Sequence, residues 1–199
     1  DIFKIKRVVI STYQSTSGAG KAPMDELIEQ TKLSLENKKI ISKNYTKQIA
    51  FNAIPHIDVF VEDGYTKEEI KMIDETKKII DKNIELTATC VRIPVMVSHA
   101  ESLNIEFEKE FNLEKIRDVL DAAEGCKVID ERKDGGYITQ IEAEGRNETV
   151  SIVSVDRNVI AMGGNYQQVI KAAIQQTANI MQSAFRFKTN WIIVDTCGS

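Results

Sequence analysis

TATCVRIPVMVSHAES, residues 87–102, is the stretch on which the architecture turns. It is apolar and rich in β-branched residues, so it reads as two strands, Leu86–Ile93 and Val95–Phe107, parted or bent at Pro94. Proline cannot donate to a strand ladder, which makes a bend or bulge there physically reasonable. From Ser102 the second strand alternates, with Leu103, Ile105 and Phe107 on one face and Asn104, Glu106 and Glu108 on the other. That pattern predicts a sheet with one side in water or reserved for a partner. The same stretch carries Arg92 and His99, the latter one of only 2 histidines in the chain. An arginine grips a carboxylate through two parallel hydrogen bonds. A histidine moves a proton near neutral pH. Together they suggest a site for a small acidic substrate whose reaction needs proton transfer. Taken singly, each has an ordinary role, in a surface ion pair or a satisfied core hydrogen bond. A straight strand would put them on opposite faces, because their spacing is odd. Both reach one pocket only if the chain breaks at Pro94.

Working outward, Ile5–Tyr13 reads as a buried strand, broken by Ser17-Gly18-Ala19-Gly20. A helix is predicted from Pro23 to Glu36, with Pro23 in its first turn and acidic residues at its positive end. Lys38–Lys47 reads as polar loop, and Ala50–Val61 as loop then short strand around Pro55. Thr66-Lys67-Glu68-Glu69 is a capping box opening a helix to about Lys82. Leu113–Ala123 is a short amphipathic helix. Val128-Ile129 and Tyr137-Ile138 flank a turn at Gly135-Gly136. Thr149–Val155, Asn158–Met162 and Trp191–Val194 are strand candidates, and Tyr166–Phe185 is a long helix pattern. Interspersed strands and helices with this alternation predict an α+β fold: a mixed, largely antiparallel sheet with helices packed on one face.

Composition narrows the function. The 199 residues suit a single domain, and 42% hydrophobic with 28% charged residues suits a soluble globular fold. A net charge of −4 argues against a general nucleic-acid binder. No apolar run reaches the roughly 18 residues a membrane span needs. Cys90, Cys126 and Cys197 are odd in number and lack CxxC spacing, which predicts neither a disulfide framework nor a metal site and fits a cytoplasmic setting. The chain opens on Asp1-Ile2-Phe3, without an initiator methionine or signal-peptide pattern, and is expected to be processed, excised or engineered.

Other candidate groups are individually weak. Gln14–Gly20, QSTSGAG, lies between a strand and a helix, where glycines let backbone N–H groups approach an anion. Its spacing is neither GxGxxG nor a P-loop. Glu68 and Lys71 share a helix face; a solvated ion pair is ordinary there, and a carboxylate and ammonium aimed into a cleft are the functional reading. Cys90 reads as an inert buried thiol, and His56 as structural.

In this order, the segments RVVISTYQSTSGAGK, FNAIPHIDVFVEDGYTKEEIKMIDETKKI and TATCVRIPVMVSHAES resemble the C-terminal domain of aspartate-β-semialdehyde dehydrogenases, over about Lys4–Val150. The resemblance implies a sheet-and-helix domain of the glyceraldehyde-3-phosphate-dehydrogenase type that binds substrate and forms a homodimer. It implies reductive dephosphorylation of β-aspartyl phosphate with NADPH through a cysteine thioacyl intermediate. By position, it implies that Arg92 holds the substrate α-carboxylate and His99 is the general acid/base. Glu68 would hold the amino group, Lys71 would bind phosphate, and Gln14 would orient the acyl group. Ser17 and Gly18 would approach the nicotinamide of NADP. The family's dinucleotide-binding domain and its nucleophilic cysteine have no counterpart among these residues, so the chain alone is expected to be inactive and to hold no cofactor tightly. Residues 151–199 depart from the family as a divergent strand-helix-strand tail. The competing expectation is an excised or engineered scaffold or dimer module that keeps the site as a relic. A related reductase acting on an acetylated glutamyl phosphate is disfavoured, because acetylation removes the cation that Glu68 would meet.

Overall fold

In the computed structural model, residues 3–110 and 112–147 are described, together with four short strand segments of the tail. Three strands organise the molecule: β1 (Ile5–Gln14), β2 (Glu85–Arg92) and β3 (Ala100–Phe107). β1 lies between the others, parallel to β2 and antiparallel to β3. Because side chains alternate, the register stacks like with like on one face. Ile10 stands level with Ala88 and Leu103, Thr12 with Cys90 and Glu101, and Gln14 with Arg92.

Among the described residues four α-helices accompany them: α1 (Lys21–Leu35), α2 (Lys67–Ile79), α3 (Leu113–Asp121) and α4 (Gln140–Ala143). The remaining strands are β4 (Cys126–Val128), β5 (Thr149–Ser151), β6 (Val153–Ser154), β7 (Ala161–Met162) and β8 (Asn190–Ile192). β3 receives both β7 and β8 along its second edge, antiparallel. β4 and β5 pair in parallel, and β5–β7 and β6–β8 pair antiparallel. The sheet is therefore mixed and largely antiparallel, as the alternation predicts.

The core shows why the helices pack where they do. Val8, Ile10, Ala88, Cys90, Leu103 and Ile105 present one sheet face to Met72 of α2 and to Ile116 and Leu120 of α3. α2 is held in place at its start by the predicted capping box: Glu69 accepts from the Thr66 amide at 2.7 Å while its other oxygen accepts from the Cys90 amide at 3.0 Å. One carboxylate thus caps a helix and docks it on β2. On the opposite sheet face, Tyr13, Thr87 and Thr89 are exposed and Val9, Ser11 and Val91 half-buried. A second cluster joins Leu27 of α1 to Ile49, Ala50 and Ile54. There Glu26 accepts from the backbone amides of Lys43 and Asn44, fixing the polar loop against α1.

Several boundaries differ from the sequence reading. α2 stops at Ile79, short of Lys82, and the segment Ala50–Val61 contributes only isolated bridges, Ile54 to Arg92 and Phe60 to Thr66. Residues 93–99 are not strand: the second run becomes β3 only at Ala100. α4 was missed, although Thr139 and Glu142 form a second capping box around it. The predicted helix Tyr166–Phe185 and the residue Cys197 lie outside the described residues.

Candidate active site

The site forms where β1 and β2 end together. Past the final pair Gln14–Arg92, the two chains stay joined by amides outside any regular strand. Ile93 donates to the Gln14 carbonyl at 2.9 Å, Thr16 to Val95 at 2.8 Å, and Ser17 to Met96 at 3.0 Å. This zip holds Thr16–Ala19 in a tight helical turn and turns the segment after Pro94 back toward β3. Ser98 completes the reversal with a left-handed φ of 68°, unusual for a side-chain-bearing residue. Gln140 of α4 holds that turn: its side-chain amide donates to the carbonyls of Ser98 at 2.6 Å and Tyr13 at 3.1 Å. Nothing in the local sequence around Pro94 announced this support, which comes from about forty residues downstream.

The consequence is that Arg92 and His99 converge on Gly18. A side chain added at Gly18 would place its first carbon 2.9 Å from His99 Nε2 and 3.3 Å from Arg92 Nη1. Glycine is required there because any Cβ would push the imidazole aside. Gly18 is itself exposed, so only its bare backbone stands between these two buried groups and the surface. Arg92 is buried and donates through Nη1 to the Ser15 carbonyl. Among the described residues no carboxylate lies within ion-pair distance of its guanidinium. His99 is also buried; its Nδ1 lies 3.1 Å from the Ser15 amide and 2.9 Å from the Ser15 hydroxyl. Burial pushes His99 down to about 4, with the nearby Arg92 charge adding to the effect. At neutral pH the pair is one cation beside one neutral imidazole.

Gln14, Glu68 and Lys71 form an adjoining row. Gln14 Nε2 donates to Glu68 Oε1 at 3.3 Å, and Lys71 Nζ lies 3.7 Å from Glu68 Oε2. Gln14 is buried, Glu68 partly so, and Lys71 mostly exposed. The structure therefore places a buried amide, a carboxylate and an exposed ammonium in one row, ending in Arg92 across the Gln14–Arg92 pair. Ser17, half-buried, is 3.0 Å from the Ser15 hydroxyl and next to Gly18 at the mouth.

Two residues passed over by the sequence reading belong here. Ser15, fully buried, touches His99 through both its amide and its hydroxyl. Tyr45 lines a cavity of about 210 Å³ together with Arg92, His56, Asn44 and Ala19. Its hydroxyl is buried without a hydrogen-bond partner among the described residues, and burial pushes it up to about 12. His56 stacks on Phe60 with ring centroids 4.2 Å apart, which orients it at that cavity's rim. No motif marks Tyr45, because it sits in a loop held against α1 by contacts from Glu26 and Gln30. The cysteines do not take part: burial raises Cys90 to about 12 and Cys126 to about 11, which keeps both thiols protonated. Among the described residues no group of three or more potential metal ligands gathers, and no helix is long and apolar enough to cross a membrane.

Comparison with known proteins decides the family. A family profile described as semialdehyde dehydrogenase, dimerisation domain, matches residues 1–170. The chain belongs to the semialdehyde dehydrogenase family. Within it, an aspartate-semialdehyde dehydrogenase of Aquifex aeolicus is 54% identical over 146 residues, 72% of this chain and 43% of that protein. One from Campylobacter jejuni is 44% identical over 151 residues, 75% of this chain and 44% of that protein. The crystal structure of aspartate semialdehyde dehydrogenase II from Vibrio cholerae superposes with a TM-score of 0.77 at 34% identity, over 90% of this chain and 57% of that one. The same enzyme complexed with ASA gives 0.75 at 33% identity. This semialdehyde dehydrogenase dimerisation domain thus spans less than half the length of the curated relatives it matches.

Proposed function

We propose that this chain is the substrate-binding and dimer-forming half of an aspartate-β-semialdehyde dehydrogenase, which converts β-aspartyl phosphate to the semialdehyde with NADPH. The observation that carries the reading is Arg92: a buried guanidinium, open at Gly18, with no carboxylate pairing it among the described residues. A buried guanidinium that donates to a neutral carbonyl and feels Glu68 only beyond ion-pair distance is incompletely compensated, so an anionic ligand is its natural complement. Arg92 takes the α-carboxylate of a small acidic amino acid as a two-pronged hydrogen bond. Glu68 meets the substrate ammonium, and Gln14, fixed by Glu68, points its amide at the acyl carbon's side. Lys71, the exposed cation on the same wall, meets the phosphate. His99 handles the proton at the reacting oxygen.

The bare backbone of Gly18, beside Ser17, fits a flat ring such as the nicotinamide of NADP, which when bound supplies the hydride. These residues would hold only that end of the cofactor. Burial keeps Cys90 and Cys126 protonated, and Cys197 lies outside the described residues; by the family's pattern the thiolate and the mooring for the dinucleotide are supplied by a dinucleotide-binding domain. The homodimer forms through the open sheet face around Val9, Ser11, Thr89 and Val91, and the protein works in the cytoplasm.

The test is complementation in solution. The chain is mixed with a separately produced dinucleotide-binding domain bearing the nucleophilic cysteine, and NADPH oxidation by β-aspartyl phosphate is followed. Turnover that disappears in Arg92→Leu supports the reading. A properly associated pair without turnover would favour a scaffold that keeps the site as a relic.

A further inference from the structure

The contacts at His99 define more than its position. Nδ1 lies 3.1 Å from the Ser15 backbone N–H, in donor geometry. A backbone amide can only donate, so Nδ1 must accept. The neutral imidazole then carries its proton on Nε2, the nitrogen that faces Gly18. The Ser15 hydroxyl reaches the same Nδ1 at 2.9 Å, and Ser17 Oγ stands 3.0 Å behind it. With Ser17 Oγ–H donating to Ser15 Oγ, and Ser15 Oγ–H donating to Nδ1, every hydroxyl in the row has one direction. The Ser98 carbonyl, which also receives the Gln140 amide at 2.6 Å, is the competing acceptor for a ring N–H, and the Ser15 amide on Nδ1 is what opposes it.

We propose that Ser15 is a positioning residue that locks His99 in the Nε2–H form, so that the imidazole presents a hydrogen-bond donor, not a lone pair, to whatever sits against Gly18. The proposal deepens the substrate-site reading and rests on it only for the identity of the ligand. Its chemical meaning is that His99 first meets a substrate oxygen as a neutral donor. Such a donor stabilises negative charge developing on that oxygen without adding a second cation beside Arg92. The two cations near the ring agree in sign. Arg92 from β2 and Lys71 from α2 both oppose a charged ring, and only the Ser98 carbonyl favours one.

The test is nitrogen-15 NMR of the chain labelled at histidine, with the two-bond ring couplings assigning the tautomer. Wild-type protein at neutral pH is expected to show His99 as a single neutral Nε2–H species. Ser15→Ala keeps the backbone donor but removes the hydroxyl. It should move the Nδ1 resonance toward that of a less hydrogen-bonded nitrogen and raise the pH midpoint of His99, since a donor to Nδ1 favours the neutral ring. Ser17→Ala, at a half-exposed site that does not threaten the fold, should produce a smaller change of the same sign. Unchanged amide dispersion checks that each variant is folded. An Nδ1–H species in the wild type would overturn the proposal. So would folded Ser15→Ala and Ser17→Ala proteins with the wild-type His99 spectrum. None of these readouts depends on turnover, so failure of the complementation assay would leave the tautomer result to stand or fall separately.

Discussion

The middle and the end of one sheet face differ in kind while being equally dry. In the middle, Val8, Ile10, Ala88, Leu103 and Ile105 fit against Met72, Ile116 and Leu120 with no polar atom to satisfy. Two residues along, on the same face of the same strands, come Thr12 and Glu101, then Gln14 and Arg92, with His99 just off the ladder. Burial in the middle is stabilising in itself. Burial at the end strips water from an arginine and an imidazole whose needs the described residues only partly meet. The first region is built to fold and the second to receive something.

That contrast is open to attack by substitution. The largest effect belongs to the middle: Leu103→Ala should lose about 2–5 kcal/mol in a denaturant titration, the transfer term plus the cavity it leaves. Arg92→Leu should cost far less and even stabilise the chain, because an unpaired buried charge gives way to an apolar side chain. In the complemented enzyme the same variant should lower kcat/KM by about 2–5 kcal/mol of transition-state binding. If Arg92→Leu unfolds the chain as readily as Leu103→Ala, the end of the sheet is structural and the comparison breaks.

Next in size is the pH dependence set by His99. Its folded value, about 4, lies below the ordinary 6.5. Between those limits the unfolded chain binds the proton first. His99 therefore stabilises the fold fully above 6.5, and that contribution is lost as pH falls toward 4. The contribution is on the order of 3 kcal/mol. Stability measured from pH 7 to 4 should fall less steeply in His99→Asn than in the wild type. Equal slopes would show that the ring is not buried uncharged. Smallest is Gln140→Ala, which frees the carbonyls of Ser98 and Tyr13 and should cost about 1 kcal/mol. Faster amide exchange confined to the turn at Ser98 and to Ser15 would sharpen the picture of a site held from outside its own motif; exchange unchanged there would remove Gln140 from the account.

Much of this was legible in the sequence because it is periodic or local. The alternation in Leu103–Phe107 marks the core face of β3 correctly, although Ser102 and Asn104 on its other face are buried as well, and Thr66-Lys67-Glu68-Glu69 marks a helix start whose Glu69 contacts are seen. The convergence of Arg92 and His99 needed the break at Pro94, and the chain does leave strand geometry between Arg92 and Ala100. The sequence reading carried the second strand through Val95 to His99, because β-branched residues there look like strand. The amides of Thr16 and Ser17, taking the carbonyls of Val95 and Met96, instead bind that segment as a loop. Ser15, Tyr45 and Gln140 were missed for one physical reason: each acts across a long sequence separation, through a contact that no spacing rule encodes.

The central claim, that the polar end of the sheet awaits an anion, is tested most directly by titrating the isotope-labelled chain with L-aspartate. The account predicts saturable shifts at the Arg92 side-chain Nε–H, at His99 and at the Gly18 amide, absent in Arg92→Leu, with Ile10 and Leu103 unmoved. Shifts scattered over the surface, or the same response in Arg92→Leu, would contradict it.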